Sequence, residues 1–86
     1  MNDSIINFLD EEINKHTLLL KDLRKEYYYK KNKSKTANKV ISYAFLYLAN
    51  EIKTEMEQVK ETIKLLKRKK RNRKYYLRRN NFVIPP

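Results

Sequence analysis

The side chains with the clearest chemistry in this chain are basic, and the densest group of them lies at one end. Residues 62–86 hold Lys64, Lys67, Arg68, Lys69, Lys70, Arg71, Arg73, Lys74, Arg78 and Arg79, no acid, and the pair Tyr75 and Tyr76. Every Asp and Glu lies at or before Glu61, where acidic and basic residues nearly cancel, so almost all of the formal +11 charge sits in that last segment. Charge segregated in this way calls for a polyanion, because otherwise it repels itself. Closely spaced Lys and Arg neutralise phosphates and release counterions, while tyrosine rings stack on unpaired nucleobases. A solvated tail or a nuclear-import signal would share the charge but has no use for the interleaved rings. A second cluster, Lys30, Lys31, Lys33, Lys35 and Lys39, offers another phosphate contact.

Other candidates for chemistry are few. His16 is the one histidine and cysteine is absent, so no metal-ligand set stands at helical spacing and no metal site is expected. His16 reads instead as a packed residue with one ring nitrogen hydrogen-bonded. Asp10, Glu11 and Glu12 are consecutive, so on a helix they diverge by roughly 100° each and favour the helix dipole rather than forming a catalytic pair. Glycine is absent, which removes Walker loops, dinucleotide fingerprints and nucleophile elbows. No enzyme, cofactor or small-molecule substrate is expected.

These basic clusters must be positioned by helices. With no glycine, and with proline only at Pro85 and Pro86, nothing interrupts helix from Met1 to Ile84. Asp3 and Ser4 are suitable N-cap residues. After them Ile6, Leu9, Ile13, His16, Leu20, Leu23 and Tyr27 alternate in steps of three and four, a heptad seam that predicts a first helix over about 3–30. Residues 31–35 read as the start of a basic polar turn, with Ser34 and Thr36 as caps. The pattern resumes with Ile41, Phe45, Leu48, Ile52, Met56, Val59, Ile63 and Leu66, predicting a second helix over about 36–68 with a stutter after Leu48. Beyond Arg68 helix propensity and like-charge repulsion oppose each other, and continuation through Arg79 is left open.

Two helices joined by a short polar turn pack as an antiparallel hairpin, so the expected fold is all-α: a two-helix hairpin over 1–66 and a basic, aromatic tail over 67–86. The tail should overhang the first helix from about Leu66 and lie toward its acidic start. Tyr43, Phe45, Leu46 and Tyr47 cover more faces than one partner helix can bury, and are expected to pack on RNA or on a neighbouring protein. No apolar run approaches the roughly 18–20 residues of a membrane span, and the acidic first dozen residues are unlike a signal peptide.

The hairpin resembles the large-subunit ribosomal protein family numbered twenty-nine in bacteria and thirty-five in eukaryotes. Asp22-Leu23-Arg24-Lys25-Glu26 is similar to the Asp-Leu-Lys-Lys-Glu segment that ends the family's first helix. The run Glu57-Gln58-Val59-Lys60-Glu61-Thr62-Ile63-Lys64-Leu65-Leu66 resembles the end of its second helix. Lys67 to Lys74, Tyr75, Tyr76 and Leu77-Arg78-Arg79 resemble the basic stretch that follows in eukaryotic members. The chain departs from the family at Phe45 and Leu46, where paired basic residues are usual, and in lacking Gly and Pro after the second helix. The resemblance implies a shortened structural protein on ribosomal RNA, in the cytoplasm, near the peptide exit tunnel, among neighbouring ribosomal proteins and nascent-chain factors. The expected function is therefore RNA binding within a ribonucleoprotein. The rival is a DNA-binding or viral regulatory coiled-coil dimer that uses its heptads between chains. A basic helix lying on an anionic membrane is disfavoured, since Tyr75 and Tyr76 make a thin anchor.

Overall fold

The computed structural model describes residues 3–83, with side chains through Arg79, as two helices, α1 (Ser4–Thr36) and α2 (Lys39–Val83), packed as a hairpin. At about 1.5 Å per residue, the 33 residues of α1 span roughly 50 Å and the 45 of α2 roughly 68 Å. The result is a rod with extents of 73 × 16 × 12 Å, two helices across and one layer thick.

Asp3 starts α1 as expected. Its Oδ1 accepts from the backbone N–H of Ile5 at 2.9 Å and of Ile6 at 3.0 Å, satisfying two donors that a helix start leaves unpaired. The end of α1 differs from expectation. Residues 31–35 are helical, because nothing in Lys31 to Lys35 breaks a helix and Lys33 and Lys35 suit its negative C-terminal dipole. Ser34 and Thr36 therefore cap nothing: their hydroxyls donate back to the carbonyls of Lys31 and Lys33 at 2.6 and 3.3 Å. The link shrinks to Ala37 and Asn38, with Ala37 extended. Asn38 caps α2, its Oδ1 accepting from the Ile41 N–H at 3.0 Å.

The α1 seam is as predicted, every member buried or half-buried, and it continues through Lys30 and Ser34. The α2 seam is not. Ile41 and Leu48 face outward, 46% and 40% exposed, while Ala49 is 2% exposed. The seam runs Ser42, Phe45, Ala49, Ile52, Met56, Val59, Ile63, Leu66, Lys70, Arg73, Leu77, alternating threes and fours without a stutter. The reason is steric. A two-residue link pulls the helices together at this end, and small side chains at Ser34, Ser42 and Ala49 permit that approach where Leu48 would hold them apart. Ser42 also donates from its hydroxyl to the Ser34 carbonyl at 2.7 Å, tying the last turn of α1 to the first of α2.

Mid-rod, Leu23, Met56 and Val59 form the core, with Leu20, Tyr27, Ile52 and Ile63 packed around them. Fully burying side chains of this size stabilises by about 1.5–3 kcal/mol each, and one stripe per helix holds few of them. The longer α1 and shorter link also move the register. Asp3 now lies opposite Arg73, so α2 is covered to Arg73 rather than Leu66. Only the last turns of α2, about 15 Å, extend past the start of α1. The second helix runs through Arg79 to Val83: Lys and Arg are good helix formers, and two of the like charges are neutralised by α1.

Candidate nucleic-acid interface

The basic segment is the outer half of a single helix, and the hairpin sorts its charges into two groups. Lys70 and Arg73 occupy seam positions and turn toward α1. Arg73 donates from Nε and Nη2 to Asp3 Oδ2 at 3.3 and 3.0 Å, and Lys70 pairs with Asp10. The side chains of Lys70 and Arg73 are 28% and 30% exposed. The Arg73 guanidinium hydrogen-bonded to Asp3, helped by the capped N–H of Ile6, holds the Asp3 carboxyl below the ordinary carboxylate range. Arg73 also lies over the Tyr76 ring, 5.3 Å from its centroid. The expected approach of tail to acidic start is thus made by Asp3 and Asp10, while Glu12 pairs with Lys15 at 3.5 Å along its own helix.

The second group is exposed. Lys64, Lys67, Arg68, Lys69, Arg71, Lys74, Arg78 and Arg79 all face solvent, and none of them pairs with an acid among the described residues. Tyr75 and Tyr76 stand between them, 64% and 53% exposed. This surface can neutralise a run of phosphates and present two rings for stacking.

At the opposite end of the rod the lysines are arranged differently. Lys30 Nζ lies 5.9 Å from the Tyr29 centroid and 5.8 Å from that of Phe45; Lys31 is 5.7 Å over Tyr27, and Lys33 is 5.5 Å over Tyr29. Lys35 and Lys39 are exposed. Phe45 is half-buried beneath Lys30, whereas Tyr43, Leu46 and Tyr47 face outward as expected of residues awaiting a partner. The Glu51 carboxylate beside the Tyr47 hydroxyl raises that phenol above its ordinary value. His16 is half-buried, its Nδ1 donating to the Glu12 carbonyl at 2.7 Å, which is the packed role expected of it.

Sequence reasoning missed a third group. Lys53, Lys60, Lys67 and Lys74 recur every seven residues, so they share one flank of α2 beside the seam, over about 32 Å of helix. Arg24 faces the same flank from α1, lining one groove with Lys53 and Lys60. The signal was present in the seven-residue spacing, but read without a seam it merges into the general background of lysine. The other flank carries exposed Ile5, Leu19, Ile41 and Leu48, each one position before a seam residue.

Comparison of the chain with known protein families, with curated proteins and with solved structures finds no match. Among the described residues, no helix is long and apolar enough to cross a membrane.

Proposed function

We propose that this protein is a structural RNA-binding component of a ribonucleoprotein, and that its place is the large ribosomal subunit near the peptide exit tunnel. The observation that carries RNA binding is the outer half of α2, where eight exposed basic residues and two exposed tyrosines lie on one helix with no acid beside them. Phosphate neutralisation there is independent of sequence, which suits a protein that braces folded RNA. The ribosomal placement rests on the resemblance of residues 22–26 and 57–66 to the family described above, in a chain that forms the hairpin expected of that family. Exposed Tyr43, Leu46 and Tyr47 are then contacts to neighbouring ribosomal proteins or RNA at the turn end. Sucrose-gradient sedimentation of a lysate tests the placement. The protein should travel with the large subunit in moderate salt and leave it in high salt; a protein that stays at the top of the gradient in both would sink the ribosomal reading.

A further inference from the structure

The groove at mid-rod, away from both basic ends, has the chemistry of a nucleotide site. It is lined by Arg24, Tyr27, Tyr28, Lys53, Met56, Glu57 and Lys60, and encloses about 470 Å³. Its floor is the core itself, since Met56 is buried and Tyr27 packs on the core. Tyr28 is 55% exposed, and Tyr27 meets it edge to face, with centroids 5.4 Å apart and planes at 70°. That edge-to-face pairing orients the Tyr28 ring and lowers the entropy a stacking partner must remove. Three basic residues, Arg24, Lys53 and Lys60, surround the groove against one acid, Glu57, so a phosphate is favoured there. Arg24 can take two phosphate oxygens at once through its planar fork.

We infer that this groove seats one nucleotide of a single-stranded RNA, its nucleobase stacked on Tyr28 and its phosphate held by Arg24, Lys53 and Lys60. The strand continues along the lysine row through Lys67 and Lys74 to the outer half of α2. This deepens the RNA-binding reading and rests on it. Single-stranded RNA is favoured over a duplex because the groove pairs a free ring with basic residues, and a paired base has no face to offer. It is favoured over an acidic protein because the ring stands beside a planar guanidinium and the lysines follow one line along the helix.

The test uses the whole protein and an oligouridylate of about 20 nucleotides, long enough to reach from the groove to Arg79. Ultraviolet crosslinking with peptide mapping should mark Tyr28 together with Tyr75 or Tyr76. Replacing Arg24, Lys53 and Lys60 together by Gln should abolish the Tyr28 crosslink, keep those of the arm, and reduce the slope of log affinity on log salt by about 2. Tyr28→Leu, which keeps all charge, should weaken binding about tenfold with the slope unchanged. Crosslinks confined to the arm, with a triple variant of unaltered slope, would leave RNA binding standing and overturn the groove. A duplex RNA of equal length that competes as well as the single strand would overturn the stacking role. No binding of either RNA would overturn the RNA-binding reading and the groove with it.

Discussion

The two ends of the rod carry the same kind of charge in different states. At the turn, Lys30, Lys31 and Lys33 lie over the rings of Tyr27, Tyr29 and Phe45. At the far end, Lys70 and Arg73 are held by Asp10 and Asp3, and the basic residues around them are bare. A count of lysines and arginines treats these ends as two grades of one feature. The structure separates them: a cation over a ring already has a partner worth about 0.5–1 kcal/mol at an exposed site, whereas a bare cation gives up only hydration and counterions when it meets phosphate. The far end should therefore dominate electrostatic binding, and the turn end should act as much through its rings as through its charge.

The largest effect is expected from breaking the scaffold that keeps the ends distinct. Leu23→Asp places a charge in the centre of the core beside Met56 and Val59, at a cost of several kcal/mol, comparable to the whole stability of a small domain. Circular dichroism should show a fall in helicity, and the register that sets Asp3 against Arg73 should go with it. A Leu23→Asp protein with native helicity would mean that the core lies elsewhere.

A smaller, sharper effect comes from removing equal charge at each end. Arg68, Lys69 and Arg71 changed together to Gln should lower the salt slope of RNA binding by roughly 0.7 for each phosphate that is no longer neutralised. The same replacement of Lys30, Lys31 and Lys33 should lower it less, because those cations are partnered by rings. Equal slope changes, measured by titration at several salt concentrations, would erase the distinction between the ends.

The smallest effect concerns the acid that joins the far end to the start of α1. Because the folded carboxyl of Asp3 titrates below its ordinary value, its contribution is complete above the ordinary carboxylate range. It disappears as pH falls through the depressed value, so the unfolding temperature should drop in that acid window. Asp3→Asn keeps a capping oxygen but removes the charge, and should flatten that part of the pH profile. A profile identical to that of the unaltered protein would show that the Asp3–Arg73 pair carries no stability.

Much of this was legible without coordinates. The absence of glycine, with proline confined to Pro85 and Pro86, leaves helix as the one regular structure the chain can sustain. The first seam was readable because a 3–4 alternation of Ile, Leu and Tyr over Ile6 to Tyr27 has a single solution. The second was not. Between Val40 and Ala49 apolar residues lie on every face, so periodicity admits both Leu48 and Ala49 as the inward residue, and the larger one looks the better candidate. The choice of Ala49 depends on how closely two helices approach beside a two-residue link, which no local pattern records.

The sequence by itself determined two helices, their first seam and the segregation of charge, because each follows from local propensity or from simple order along the chain. Tertiary structure alone decided which charges are available. Asp3 and Arg73 lie 70 positions apart, and they meet only because the length of α1 and the shortness of its link set the register. The same register makes a groove of Arg24, Lys53 and Lys60 from residues on both helices. A pairing across the hairpin is a property of the packed pair, since shifting α2 by one residue would turn every side chain by about 100° and change its neighbours.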